Sequence, residues 1–319
     1  MILVIMGHVN FANQDIKAWI YSFHMPVFFF CTGLVLKDIG KSLKESVTKY
    51  ARRLIIPFFL WALLFAQFTI PNLVMILYGS HKSLAKAGSL TSLWFLPVMF
   101  LAVCLFFIVR NRTNKESVRW LDFVIVALSF GMGFIIPNIR IGYPWVANVV
   151  LVAFPILMLG NIMKPYIASF YNYIKCHEVI GIVLCVVLTI VFWGGTLTYQ
   201  QNDSDFKYML MAEARYGSIL YFILTTSCGI MMLLSASLLL EILFKRNRII
   251  TKGLSFVGQN TLCIFAIQKP FISCFHTGFS YIHLPEPFVL VLTTLGTLIL
   301  SCFVGVLLNK YLPVMVGKF

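Results

Sequence analysis

The sequence predicts an all-α, polytopic integral membrane protein, and three observations carry that prediction. Of 319 residues, 60% are hydrophobic and only 11% are charged, with a mean hydropathy of +0.90; an ordinary soluble domain is about one quarter charged. Apolar runs without period-2 alternation recur along the whole chain, at about the 17–25 residues a helix needs to cross a hydrocarbon core about 30 Å thick. Barrel strands would alternate. The 25 lysines and arginines fall mostly in alternate loops, as expected of a chain that crosses a bilayer repeatedly.

About ten transmembrane helices follow in order, over 1–11, 20–36, 54–78, 91–109, 121–137, 145–163, 178–199, 217–243, 254–275 and 287–308. The first run covers only about 16 Å at 1.5 Å per residue, so a truncated first helix is expected. Lys37, Lys41, Lys44, Lys49, Arg52 and Arg53 crowd the segment after the second run, and Arg110, Arg112, Lys115 and Arg119 the segment after the fourth. Both segments are expected on the cytoplasmic side. If every run crosses, the basic clusters at 164–175, 245–252 and 310–318 share that side and both chain ends are cytoplasmic. One missed helix would invert the charge of every later loop, so the loop charges check the count independently.

The loops are short, and no repeat, linker or appended domain interrupts residues 1–319, which read as a single transmembrane domain. The net charge of +14 is then chiefly a topology signal and secondarily a surface for anionic ligands and membrane lipids, not for nucleic acid. The eight cysteines form no Cys-x-x-Cys and lie mostly in apolar runs, which argues for buried thiols and against disulfides or a metal site. No basic region precedes the first apolar run, so a cleavable signal is not expected. Glycine-rich phosphate loops, His-Glu-x-x-His and Gly-x-Ser-x-Gly are all missing.

The chemistry-bearing stretch is LVIMGHVN followed by WIYSFHMPVFFFCTGLVLK. It sets His8 and His24 in apolar helical sequence, symmetric about residue 16, so that in an antiparallel hairpin they lie at similar depth near the outer face. An ionisable group at membrane depth normally faces a polar interior, and histidine suits general base work because its pKa lies near neutrality; the bland alternative is an imidazole bonded to a neighbouring carbonyl. At similar depth, Trp94 with Pro97 opens the fourth run, and Asn260, Gln268 and Lys269 lie on the ninth. Trp94, Asn260 and Gln268 are candidate substrate contacts, against interfacial anchoring for the tryptophan and helix-to-helix hydrogen bonding for the amides. On the cytoplasmic side Arg52, Arg53 and Lys37 are candidate ligands for donor phosphates, since guanidinium groups bind phosphate bidentately. Their other reading is topology anchors.

ILVIMGH, IYSFHMPVFFFCTGLVLK, KYARRLIIPFFLW, SLWFLPVMFLA and LSFVGQNTLCIFAIQ, in that order, resemble the membrane acyltransferase-3 family, especially its fucose 4-O-acetylase-like branch. The resemblance implies a ten-helix enzyme of the bacterial inner (plasma) membrane. Such an enzyme moves an acetyl or similar acyl group from cytoplasmic acyl-CoA, acetyl-CoA above all, to a hydroxyl of a surface polysaccharide or lipid-linked sugar. It implies that His8 is the base, that His24 is the second motif histidine, and that Arg52 and Arg53 sit at the donor entry. Relatives usually carry a basic residue about ten positions before the first histidine, which this chain begins too late to have, and often a histidine where Gln268 stands. The alternatives are a glycan-precursor transporter or flippase, or an inactive scaffold. His8→Ala separates these readings through loss of chemistry, loss of flux, or neither.

Overall fold

The computed structural model describes residues 1–9, 14–36, 42–88, 90–112, 119–199, 208–245, 247–281 and 285–319. Lys37 lies outside them. Among the described residues the chain is helical with no strand, only an isolated bridge between Leu210 and Arg215. Six helical segments are long and apolar enough to cross a membrane: Gln14–Val35, Thr91–Arg110, Pro144–Cys176, Glu178–Thr198, Ile219–Phe244 and Glu286–Tyr311.

α1 (Ile2–His8) and α2 (Gln14–Tyr21) lead to α3 (His24–Val35). The run predicted to be one helix over 20–36 breaks at Ser22 and Phe23 because Pro26 has no N–H for the Ser22 carbonyl. The Ser22 hydroxyl closes the end of α2 on the Trp19 carbonyl at 2.7 Å. α4 (Leu43–Tyr50) passes through a wide turn at Ala51–Ile55, with i→i+5 bonding, into α5 (Ile56–Phe65). Pro57 lies four residues after Arg53 and leaves that carbonyl without its helical donor, which accounts for the widening.

The run predicted over 54–78 ends at Phe65. Ala66 is extended, and Thr69 caps α6 (Ile70–Tyr78), whose first turn holds Pro71. α7 (His81–Ala87) and a tight turn at Thr91–Trp94 precede α8 (Phe95–Arg112). α9 (Arg119–Ile135) follows, then α10 (Ala147–Cys176), which continues well past the predicted end at 163. α11 (Glu178–Thr198) and α12 (Ile219–Phe244) form a packed pair. The run predicted over 254–275 is α13 (Arg248–Gln259) and α14 (Thr261–Ser280), separated at Asn260. The Asn260 side chain donates to the Phe256 carbonyl at 2.9 Å and so competes with the helical backbone. α15 (Glu286–Tyr311) ends in a turn at Pro313–Val316.

The core lies where α3, α8, α10 and α14 meet, around the fully buried Phe29, Phe106, Val149 and Leu157 and the buried Phe265. α3 and α10 touch backbone to backbone. A Cβ at Gly33 would stand 1.9 Å from the Leu157 carbonyl oxygen, and one at Gly160 would stand 2.1 Å from that of Phe30. No other residue type permits that approach. The bundle has two polar ends, one around His8 and His24 and the other around Arg53 and Arg110. At the arginine end Arg110 donates to Asp122 and to Asn161, each at 3.0 Å, and the Asn161 amide donates to the Gly33 and Leu36 carbonyls. This network ties α8, α9, α10 and α3 together.

Candidate active site

His8 closes α1 and His24 opens α3, and Tyr21 at the end of α2 joins them. Its hydroxyl is 3.2 Å from His8 Nδ1, and its ring meets the His24 ring edge-on at 4.8 Å between centroids. His24 Nδ1 lies 2.9 Å from the Ile20 carbonyl. A carbonyl only accepts, so this nitrogen carries the proton, and the neutral ring offers the lone pair of Nε2. Lys17 Nζ stands 5.0 Å over the Tyr208 ring and 5.8 Å over Tyr21. Lys269 lies within electrostatic reach of His8 and Lys17. The two histidines expected at similar depth are thus brought to opposite sides of one tyrosine ring. Tyr21, which links them, was not singled out from the sequence, although it falls three residues before His24.

Trp94 is buried at the end of its turn and packs edge-on against Phe95 at 6.1 Å. Gln268 is fully buried on α14, with its carbonyl oxygen unpartnered among the described residues. The structure places Asn260 elsewhere. Its oxygen accepts from Asn309 of α15 at 3.1 Å, and it stands so close to Gly305 that a Cβ there would lie 2.4 Å from that oxygen. With its amide also bonded to Phe256, Asn260 fastens α14 to α15, about 12 Å of helix from Gln268.

A cavity of about 340 Å³ runs between α3, α8 and α14 from the arginine end. Tyr50, Arg53, Gly258 and Gln259 line its mouth, and Thr32, Met99 and Leu262 its wall. Arg53 belongs to the lining and Arg52 does not; both side chains are exposed. Along each wall helix the lining stops at an aromatic ring, Phe28, Phe95 or Phe265. His24 follows Phe28 by one turn of α3, and Gln268 follows Phe265 by about one turn of α14.

Over the histidine end, loops lock into a cap. The Ser80 hydroxyl donates to the Ile141 carbonyl at 2.8 Å, Tyr78 to Gly142 at 2.8 Å, and the Asn138 amide to Ala214 at 3.4 Å. The cap holds His81 3.3 Å from Glu213, which also pairs with Arg215 at 2.8 Å. Burial pushes the His81 imidazole below its ordinary pKa, with Glu213 opposing and Lys269 and Lys82 reinforcing the fall. None of His81, Glu213 and Arg215 is set apart by the sequence, since each lies in a segment between apolar runs where polar residues are ordinary.

The sequence profile of the acyltransferase-3 family, described as an acyltransferase domain, matches residues 1–307. The chain belongs to the acyltransferase-3 family. It is a membrane acyltransferase, one that moves groups other than aminoacyl groups. No curated protein and no solved structure matches. Among the described residues this acyltransferase has no cluster of three or more His, Cys, Asp or Glu side chains able to hold a metal ion.

Proposed function

We propose that this acyltransferase carries a short acyl group, acetyl in the simplest case, from acyl-CoA to a hydroxyl of a surface polysaccharide or lipid-linked sugar. The donor binds at the arginine end, on the cytoplasmic side of a bacterial plasma membrane, and the acceptor binds at the histidine end. Ten crossings with both chain ends cytoplasmic are the topology that goes with this reading, and the fucose 4-O-acetylase-like branch is its place in the family. The observation that carries it is the cavity that opens beside Arg53 and stops one helical turn below His24 and Gln268.

In this scheme Tyr21 accepts the Nδ1 proton of His8 in a hydrogen bond, which leaves His8 Nε2 free. That nitrogen takes the hydroxyl proton as the oxygen bonds to the thioester carbonyl carbon. The backbone N–H groups of His24 and Met25, at the start of α3 where Pro26 has none and that of Val27 is bonded to the Phe23 carbonyl, steady the developing oxyanion. When the tetrahedral intermediate collapses, the carbon–sulfur bond breaks and the thiolate takes the proton back from the imidazolium. The products are the sugar ester and CoA thiol, and His8 is restored. Arg53 and, to a lesser degree, Arg52 and Lys37 hold the phosphates.

The test is mass spectrometry of surface glycans from cells expressing the wild type, His8→Ala, or neither. An acetyl-sized increment that mild base removes, present with the wild type and lost with His8→Ala at equal membrane expression, supports the scheme. Glycan precursor crossing the membrane with no ester formed would instead support transport.

A further inference from the structure

Phe28, Phe95 and Phe265 come from three helices that are not neighbours in sequence, and together they close the histidine-ward end of the cavity. Phe95 is the hub. Its ring centroid lies 5.9 Å from that of Phe28, 5.1 Å from Phe29 and 5.3 Å from Phe265, with Trp94 behind it at 6.1 Å. Phe95 and Phe28 are half-buried and line the cavity, whereas Phe265 lines it from a buried position and Phe29, fully buried, does not reach it. The Phe95 backbone is anchored where the tight turn at Thr91–Trp94 passes into α8. Movement at this wall is therefore a matter of the side chain.

His24 is four residues from Phe28 along α3, or about 6 Å of helix. An acyl group stopped at the closed wall lies about one helical turn short of the histidines. The space vacated when the Phe95 ring turns aside is one phenyl group wide, with the buried Trp94 ring 6.1 Å behind it. A two-carbon acyl group fits such a space, and a long chain does not.

We propose that Phe95 is the residue that sets acyl chain length in this enzyme: its ring is the movable part of the wall, and the room it leaves admits only short acyl groups to the histidine pair. The proposal rests on the cavity being the donor site. Phe95 touches the acyl group and takes no part in the proton transfers, so its removal changes which donor is accepted.

The experiment is calorimetric titration of the purified full chain in detergent with CoA, acetyl-CoA, butyryl-CoA and octanoyl-CoA, for wild type, Phe95→Ala and Phe95→Trp. For the wild type, affinity is expected to be flat or falling beyond acetyl. For Phe95→Ala it should rise with chain length, up to roughly fourfold per added methylene if each is fully buried, while affinity for CoA itself stays at the wild-type value and reports an intact fold. Phe95→Trp should bind CoA but lose affinity for acetyl-CoA relative to it. CoA binding with the same chain-length profile in all three proteins overturns the role of Phe95 and leaves the donor site standing. If the wild type binds neither CoA nor any acyl-CoA, the donor site itself is wrong and this proposal falls with it.

Discussion

Tyr21 stands between His8 and His24, with its hydroxyl 3.2 Å from one imidazole nitrogen and its ring edge-on to the other imidazole at 4.8 Å. Among the described residues, no other side chain hydrogen-bonds to His8. Tyr21→Phe keeps the ring packing and removes the bond that orients His8. Turnover should fall about fivefold to tenfold, the worth of roughly one hydrogen bond, with little change in donor KM. His8→Ala should cost about 10²-fold or more, as expected for a general base. Steady-state kinetics on purified protein, with thermal unfolding as the fold control, checks both.

Arg53 lines the cavity and Arg52 does not. Arg53→Ala should raise the donor KM by about tenfold or more, the range for a charged hydrogen bond to phosphate, and Arg53→Lys should recover part of it. Arg52→Ala should do less than either. Equal effects of Arg52→Ala and Arg53→Ala would mean that the arginines act only through their summed charge.

Arg110→Ala would leave Asp122, only 2% exposed, without its guanidinium partner. A buried pair broken from one side costs about 3–5 kcal/mol. The variant should therefore unfold at a markedly lower temperature in detergent, even though Arg110 is far from the histidines.

Gly160→Ala would press a methyl group into the Phe30 carbonyl. Because the obstacle is backbone, the two helices must separate, and a loss of at least about 1–3 kcal/mol is expected. Chromatographic homogeneity and unfolding temperature would report it, and unchanged values would show that α3 and α10 are not in backbone contact.

His81 binds protons less readily folded than unfolded, chiefly because it is buried. The unfolded chain therefore gains protons first as pH falls, and stability rises with pH over that range. The contribution is complete above the ordinary value of 6.5 and is lost as pH drops through it toward the folded value. Wild-type unfolding temperature should decline below about pH 6.5, more steeply than that of His81→Gln. Parallel curves for the two proteins would remove His81 from the cap's pH response.

Much of this architecture is legible in the chain. Helix content and membrane class follow from hydropathy and run length, because a bilayer leaves few other solutions. His8 and His24 stand out because ionisable groups are rare in such runs, and Arg53 because a charge cluster marks one end of a helix. The breaks at Ser22, Ala66 and Asn260 were harder to see. Pro26 and Pro71 are plain in the sequence, yet a proline kinks one helix and ends another, and the outcome depends on capping groups such as Ser22 and Thr69. Asn260 read as a substrate contact because its polarity was visible and its partner Asn309, a whole helix away, was not. The aromatic wall was hidden for the same reason, since thirty phenylalanines offer no clue to which three converge.

The glycine contacts between α3 and α10 have a mechanical consequence. A rod whose peptide groups abut those of its neighbour cannot slide or tilt without opening a gap along both, so the helix bearing His24 is fixed in place against the longest helix of the bundle. Rocking of one half of the protein against the other would have to break that seam. What can turn without opening that seam is side chains, the half-buried rings of Phe28 and Phe95 at the cavity's end among them. The bundle is thus built around one rigid seam, and the helix that carries His24 is half of it.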